Sequence, residues 1–267
     1  MKVWTAIFAT TPLLTGCMVA VEGTSTSTST STYGNGIQVQ ETRSLASFNA
    51  VETHGSINVS IQEGWNYQAV VTVDGNLTRY LATEVRGGKL IIDWSRYSHP
   101  TGTPAVIVTV PQIEELRHFG SGEVSIEQST WWTRLSLESH GGGPIHYLGG
   151  AEHLTAVSYG PGLIDLIGYA DALEARTESS GDVIADGLLA YNAFAEVYAS
   201  GDITLDLDQG AWLSARILGS GNVEWWGYPS KTAYELQGSG RIIEHRALAK
   251  AAAGSPTLKY KAMKPKT

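Results

Sequence analysis

Residues 199–223 read ASGDITLDLDQGAWLSARILGSGNV, and this stretch begins and ends on the same short phrase: one or two small residues, a glycine and, two places later, a β-branched residue. The phrase occurs seven times between residues 118 and 241. Its final glycines, which lie 19 to 21 residues apart, are Gly122, Gly143, Gly162, Gly181, Gly201, Gly221 and Gly240. A period near twenty that is kept over half of the chain predicts a solenoid of stacked coils.

The residues on either side of each glycine indicate two short strands per coil. Two places after the glycine the chain always has Val or Ile, and four places after it the residue is apolar in most coils, so these positions share one face of a strand. The β-branched residues are Val124, Ile145, Ile164, Val183, Ile203, Val223 and Ile242. Eight and six places before the glycine, leucine and alanine predominate and indicate a second strand. Coils stacked about 4.8 Å apart would align like positions into ladders around a narrow interior filled by side chains.

The fold class that this pattern predicts is an all-β, right-handed parallel β-helix or solenoid of about 20-residue coils with an N-terminal β cap. Residues 116–246 correspond to the β-helix coils. Residues 37–115 follow the spacing of about twenty residues less closely, and we interpret them as the cap or as opening coils. A cap is expected because an uncovered first edge of the solenoid would invite aggregation. The alternative is a β-sandwich with glycine-rich hairpins. Hairpins reverse the chain direction and would not hold one phase over seven repeats, so the solenoid is favoured.

The beginning of the chain resembles an export signal. An apolar run from Val3 to Leu14 follows Lys2; it is too short to span a bilayer but suits the apolar region of a secretory signal peptide. The motif Leu14-Thr15-Gly16-Cys17 then resembles the lipobox of bacterial lipoproteins. This resemblance implies that residues 1–16 are a lipoprotein signal peptide and that Cys17 is lipidated. An ordinary signal peptide with a chance cysteine is the alternative.

The residues after the motif suit an anchored protein. Met18 stands where that family's sorting rule would place Asp for inner-membrane retention, so the resemblance implies the outer membrane. Residues 17–36 comprise the lipidated cysteine and a tether rich in serine and threonine, which has too few apolar residues to fold. Cys17 is the only cysteine, so no disulfide stabilises the mature body.

Charge separates the body from the end of the chain. The net charge is −8, which argues against nucleic acid as a partner. Residues 247–267 instead contain five lysines and are interpreted as a basic, disordered tail. A contact between this tail and a polyanion is the less favoured interpretation.

A metal or catalytic site in a solenoid should appear as a column of like positions. Asp182 and Asp202 share the position after the glycine, and Asp186 and Asp206 share the fifth position after it, so these four are weak candidates for a Ca²⁺ site. Solvent-facing turn residues are the favoured interpretation, and no metal is predicted. No catalytic residues and no cofactor are predicted, since no paired carboxylates, zinc motif, nucleophile elbow or phosphate loop stands out.

Aromatic residues are the remaining candidates for ligand contacts. The pairs Trp131-Trp132 and Trp225-Trp226 would each place one ring inward and one outward in a strand. Outward rings can stack on sugars or contact a partner protein, and Trp226, Tyr228 and Trp132 are the candidate contacts. Edge packing under a loop is the alternative interpretation of the same residues.

Several phrases together resemble a known family, the head GIN domain, also called the autotransporter adhesin head domain. They are Phe48-Asn49-Ala50-Val51, Gly88-Lys89-Leu90-Ile91-Ile92, Val110-Pro111, Gly227-Tyr228-Pro229 and the serial glycine phrases, over about residues 45–243. The resemblance implies a β-helical fold in secreted or surface-anchored bacterial proteins. It attaches no catalytic residues.

We therefore expect a lipid-anchored cell-envelope protein of a Gram-negative bacterium, held at the membrane by its N-terminal lipid. Its body is expected to be a non-enzymatic, adhesin-like binding module with an envelope protein or a glycan as partner. The alternatives are a carbohydrate-active enzyme, such as a polysaccharide lyase or hydrolase, on the same scaffold, and a structural envelope component. The first alternative predicts a deep groove lined by two carboxylates.

Overall fold

A computed structural model describes residues 32–246. The predicted signal peptide, Cys17, nearly all of the tether and the basic tail lie outside these residues. The described chain forms eighteen β-strands and one short 3-10 helix, Thr78–Tyr80. The strands are β1 Thr32–Tyr33, β2 Gln38–Ser44, β3 Ala50–Thr53, β4 Asn58–Glu63, β5 Gln68–Asp74, β6 Leu81–Arg86, β7 Lys89–Trp94, β8 Ser98–His99, β9 Ala105–Val110, β10 Glu115–His118, β11 Val124–Ser139, β12 Ile145–Ser158, β13 Ile164–Thr177, β14 Val183–Val197, β15 Ile203–Ile217, β16 Val223–Gly227, β17 Lys231–Leu236 and β18 Ile242–His245.

The coils stack in parallel and form a β-solenoid of about seven turns. Strands β11 to β15 are long, 14 to 16 residues each, and contribute to two surfaces. Their first halves follow a glycine turn and form sheet I, together with β9, β4, β16 and β18. Their second halves lead into the next glycine turn and form sheet II, together with β7, β3, β10 and β17. All the pairs named here are parallel.

The predicted ladder of β-branched residues is confirmed. Val124, Ile145, Ile164, Val183, Ile203, Val223 and Ile242 are successive partners in register along sheet I. The first six are fully buried in one continuous core. Val59 and Val106 extend the ladder at its N-terminal side. The β-sandwich alternative is therefore wrong, while the right-handed sense of the coil stays a prediction.

The N-terminal part combines two kinds of pairing. Strands β3, β4, β7, β9 and β10 continue the parallel sheets of the solenoid. Antiparallel pairs join β2 to β5, β5 to β9 and β6 to β7. The segment predicted as a cap or as opening coils, residues 37–115, thus contains coil strands with antiparallel strands beside them.

The turn glycines are required by close packing rather than by an unusual backbone conformation. None of the seven has a φ angle in the left-handed region. A Cβ at any of them would instead be much closer than van der Waals contact to a carbonyl oxygen in the neighbouring coil; for Gly201 that oxygen belongs to Gly181. Adjacent turns therefore pack backbone against backbone, and no side chain fits between them.

A short column of polar side chains lies buried beneath these turns. Its members are Thr53, His118, Ser139, Ser158 and Thr177, all at most 1% exposed. The Thr53 hydroxyl and His118 Nδ1 are 2.6 Å apart, and the hydroxyls of Ser158 and Thr177 donate to carbonyl oxygens of turn glycines. Ser158 and Thr177 therefore provide hydrogen-bond donors to backbone carbonyl groups at the sharp corner.

We predict that His118 makes the fold sensitive to acid. Burial lowers the pKa of His118 below its ordinary value, although a backbone contact from Gly122 opposes this effect. The folded state therefore binds fewer protons than the unfolded state once the pH falls below about 6.5, so stability is complete above that pH and is lost as the pH falls through the folded pKa. Urea unfolding at about pH 7.5 and pH 5 should show a smaller acid loss for His118→Asn than for the wild type, whereas the exposed control His153→Asn should match the wild type. An unchanged loss in His118→Asn would contradict the assignment.

Candidate functional site

Charged side chains of opposite sign alternate along the outer face of sheet II. Because the parallel strands are in register, residues about twenty apart in sequence become neighbours. Arg176 Nε lies 3.3 Å from Glu196 Oε2. Arg216 lies between Glu196 and Glu235, with its Nε 3.2 Å from Glu235 Oε2 and its Nη1 3.9 Å from Glu196 Oε1. This charge column holds the planar guanidinium and carboxylate groups in fixed positions across four coils.

A groove of about 710 Å³ lies beside the charge column. Phe194, which is 39% exposed, provides an aromatic wall, and the small residues Ser214 and Ala233 leave the space beside it open. The Phe194 ring is held by the edge of Trp212, with the ring centroids 5.0 Å apart and nearly perpendicular. Lys231 in turn lies 5.5 Å from the centre of the Trp212 ring. We call this depression the sheet II groove.

The charge balance of the sheet II groove is negative. Three carboxylates line it, those of Glu174, Glu196 and Glu235, against the two guanidiniums of Arg176 and Arg216. Both guanidiniums are already engaged by carboxylates. The groove therefore offers hydrogen-bond donors and acceptors and an aromatic face, but no surplus positive charge for an anionic ligand.

A second aromatic feature follows the edge of sheet II next to the turns. The rings of His54, Phe119, His140 and Tyr159 stack face to face, with centroid separations of 5.0, 4.4 and 4.7 Å and interplanar angles of 7°, 13° and 12°. His54 Nε2 and His140 Nε2 lie 2.9 and 3.0 Å from the carboxylates of Glu52 and Glu138. The ring faces of Phe119 and His140 are covered on both sides, so a sugar ring cannot stack on them, and the column stabilises the corner instead.

The structure separates the three aromatic residues predicted to contact a ligand. Trp132 is 1% exposed and belongs to the core, so its prediction as a surface contact is wrong; its neighbour Trp131 is the half-buried ring of that pair. Trp226 is half-buried and stacks on His245 with centroids 4.6 Å apart. Tyr228 is 52% exposed. None of the three lines the sheet II groove.

The aspartates considered for a cation site have other partners. Asp182 Oδ1 accepts a hydrogen bond from the backbone N–H of Asp202, 2.8 Å away, and Asp202 Oδ1 accepts from the backbone N–H of Asn222 at 2.6 Å. These two side chains therefore link successive turns. The expected stacking of Asp186 on Asp206 is wrong, because the register shifts after Ala185 and Asp206 pairs with Leu189. Within residues 32–246, no three histidine, cysteine or acidic side chains come together as a metal site.

The pKa values of several carboxyl groups lie below their ordinary values. The hydrogen bond from His54 is the main cause for Glu52. Burial alone would raise the pKa of Asp74, but hydrogen bonds from Thr101 and from the backbone of Gly36 outweigh it. Glu63 behaves in the same way, with Ser129 and Thr130 as donors. Lowered pKa values are typical of structural carboxylates, whereas the general acid of a glycoside hydrolase needs a raised one.

These features define a class of protein: an extended β-solenoid that presents one grooved sheet face and bears a β cap at its first coils. The chain belongs to the family described as "Putative auto-transporter adhesin, head GIN domain", whose sequence profile matches residues 47–229. The resemblance predicted from the glycine phrases is thereby confirmed. Membership of this adhesin-like family indicates a protein of the cell envelope or surface.

Solved structures share the fold. A putative adhesin from Bacteroides fragilis is 20% identical, with a TM-score of 0.74, over 79% of this chain and 99% of that one. A protein from Parabacteroides distasonis described as a putative lipid binding protein is 23% identical, with a TM-score of 0.67, over 81% and 100% of the two chains. A putative adhesin from Parabacteroides merdae is 17% identical, with a TM-score of 0.66, over 81% and 99%. At these identities the likeness extends to the fold alone.

Two further searches, one among curated proteins and one for membrane-spanning helices, have negative results. A search of curated proteins finds no relative of this chain. Across residues 32–246, no helix is both long and apolar enough to cross a bilayer.

Proposed function

We propose that this protein is a lipid-anchored, non-enzymatic adhesin-like module that binds a neutral or amino-sugar glycan through the sheet II groove. The observation that carries the proposal is the aromatic wall of Phe194 opposite the rigid guanidinium and carboxylate groups of Arg216 and Glu235. Sugar rings pack their C–H faces on aromatic rings, and their hydroxyls bond to planar charged groups. Because the strands set the spacing of these groups, little ordering is required on binding.

The charges of the groove favour one class of glycan. With more carboxylates than guanidiniums, the groove disfavours uronic acids and accepts neutral sugars or protonated amino sugars. A polysaccharide lyase would need free basic residues facing sugar acids, and Arg176 and Arg216 are both occupied by ion pairs. The geometry therefore supports the binding module over the enzyme.

We predict that Phe194→Ala weakens glycan binding about tenfold, because it removes the stacking face while the charge column stays in place. The measurement is glycan-array screening of the full chain followed by titration calorimetry with the glycan that is best retained. Tyr191→Ala is the matched control, since Tyr191 is a similarly exposed aromatic residue on the same strand but does not line the groove. Equal losses in both variants, or retention of uronic acid polymers alone, would contradict the proposal.

The anchor is the second part of the proposal, and it is supported by the lipobox-like motif ending at Cys17 and by the family's surface association. We further propose the outer membrane of a Gram-negative cell as the location, on the basis of Met18.

We predict that Cys17→Ser releases the protein from membranes. A diacylated or triacylated cysteine holds a protein firmly to a bilayer, and serine at this position would remove the thiol that carries the lipid. The test is fractionation of cells that express the wild type or the variant, followed by immunoblotting of membrane and soluble fractions. Full sedimentation of Cys17→Ser with membranes would show that the lipid is not the tether.

A further inference from the structure

A second cavity, of about 650 Å³, lies in the N-terminal part of the described chain and shares no lining residue with the sheet II groove. It is bounded by the turn Gly55-Ser56, by Trp94 and by the loop of residues 97–104. A volume of this size lies within the usual range of pockets that bind small organic ligands. We call this cavity the cap pocket.

The aromatic rings that line the cap pocket are held in place by their neighbours. Trp94 packs against the core, and a Cβ at Gly55 would lie only 3.1 Å from Trp94 Cδ1, so the indole lies directly against the turn. The ring of His99 stacks on Tyr33 with centroids 4.7 Å apart, and Tyr97 meets the same His99 ring edge-on at 4.8 Å. Tyr97 is nonetheless 68% exposed, so its ring remains available to a ligand.

Hydrogen bonds fix the loop that forms one wall of the cap pocket. The loop contains β8, which pairs in parallel with β1. Farther along, the buried carboxylate of Asp74 accepts hydrogen bonds from the backbone N–H and the hydroxyl of Thr101, at 2.8 and 2.7 Å. The backbone N–H of Asn58 donates to the carbonyl oxygen of Pro104 at 2.9 Å. Because the wall is already ordered, little conformational entropy is lost when a ligand binds.

The cap pocket offers aromatic rings and hydroxyl groups but no ion-pairing side chain. None of the described residues that line it is an aspartate, glutamate, lysine or arginine. The hydroxyls of Ser56 and Thr103, both exposed, are able to donate a hydrogen bond to a ligand and to accept one from it. An ionised ligand would lose water in this pocket without gaining an opposite charge, so the pocket disfavours it.

This combination of groups matches an uncharged sugar. Sugar rings pack their C–H faces on indole and phenol rings, and their hydroxyls exchange hydrogen bonds with serine and threonine. Glucose units in β linkage suit the aromatic rings well, because their hydroxyls are equatorial and both ring faces carry C–H groups. An acyl chain would instead leave the hydroxyls of Ser56 and Thr103 without partners.

We propose that the cap pocket is a second saccharide site, which binds a neutral β-linked sugar against Trp94 and Tyr97. This proposal is independent of the sheet II groove, whose lining is charged and which also accepts amino sugars. A module with two separate sugar sites holds a glycan chain more firmly than either site does alone.

Titration calorimetry with cellotriose, a neutral trimer of β-linked glucose, tests the cap pocket. The protein is the full chain carrying Phe194→Ala, in which the sheet II groove has lost its stacking face. Adding Tyr97→Ala should weaken cellotriose binding about tenfold, because it removes the exposed ring of the cap pocket. Adding Trp65→Ala instead is the matched control and should leave the affinity unchanged, since Trp65 is 95% exposed but does not line the pocket.

The results that would overturn the cap pocket differ from those that would overturn the sheet II groove. Equal losses in the two double variants, or no cellotriose binding by Phe194→Ala alone, would overturn the cap pocket and leave the proposal for the groove standing. Tighter binding of the charged trimers of galacturonic acid or glucosamine, or of a proline-rich peptide, would overturn the assignment of a neutral sugar.

Hydroxyl-radical oxidation of the unaltered chain provides a second measurement, which does not depend on how a variant folds. Saturating cellotriose should lower the oxidation of Trp94 and Tyr97 and leave that of Trp65 unchanged. Unchanged oxidation of Trp94 and Tyr97 in the presence of bound cellotriose would overturn the proposal.

Discussion

Gly201→Ala is expected to destabilise the protein by about 3 kcal/mol or more, near the upper end of the cost of overpacking a tight site. The added methyl group would collide with the backbone carbonyl of Gly181 in the preceding coil. A backbone atom cannot move aside as a flexible side chain can, so the two turns would have to separate and weaken the ladders on both sides. The measurement is urea unfolding followed by circular dichroism.

Gly142→Ala is the matched control for this experiment. Gly142 occupies the middle of another glycine turn, and the nearest atom to a Cβ there would be the Pro161 ring carbon 4.0 Å away. Its φ angle is also ordinary. We expect a change within about 0.5 kcal/mol. Equal unfolding midpoints for the two variants would show that close approach of the turns is not what selects glycine.

Trp132→Ala is expected to cost about 3–5 kcal/mol, the usual range for deleting a buried large aromatic side chain. Trp132 is 1% exposed and is among the largest fully buried side chains of the described core. Trp65→Ala is the control, because Trp65 is 95% exposed and should contribute little to stability. Calorimetric melting of both variants measures the difference.

Glycan affinity separates the two interpretations of Trp132. If it is a core residue, the fraction of Trp132→Ala that remains folded should bind glycan as the wild type does. A variant with wild-type stability and lost binding would restore Trp132 to the surface role that the sequence suggested and would contradict the structure.

The architecture could be predicted from the sequence because its cause is periodic. Each Val or Ile after a turn must face the same interior. The ladder from Val124 to Val223 therefore appears in the sequence as a β-branched residue at a constant spacing of about twenty. The antiparallel strands within residues 37–115 could not be placed in the same way, since β2 and β5 pair outside the repeat.

Where the first half of a long strand meets its second half, the sequence could not predict which side chains point inward. The pattern correctly indicated that one ring of Trp131-Trp132 points inward, but the register shifts between Glu127 and Trp131, so the sequence did not show which one. A similar shift after Ala185 separated Asp186 from Asp206. Small irregularities at corners change which side chain faces outward, and no single residue marks them.

The sheet II groove was missed because its parts lie twenty residues apart. Arg176 and Arg216 share the fifth position before a turn glycine, and Glu196 and Glu235 occupy the same position in the coils between and after them. Reading that position in the coils from Arg176 onward would have shown the alternating charges. Phe194 carries no comparable signal, since its exposure depends on the small residues Ser214 and Ala233 in the next two coils.

Side-chain footprinting tests the central claim, that the sheet II groove is the binding surface, most directly. The full chain would be exposed to hydroxyl radicals with and without a saturating amount of its best-retained glycan, and the oxidised residues quantified by mass spectrometry. Phe194 and Tyr234, which line the groove, should be protected, while Trp226 and Tyr228 should react as before. Protection of Trp226 and Tyr228 with Phe194 unchanged would contradict the claim.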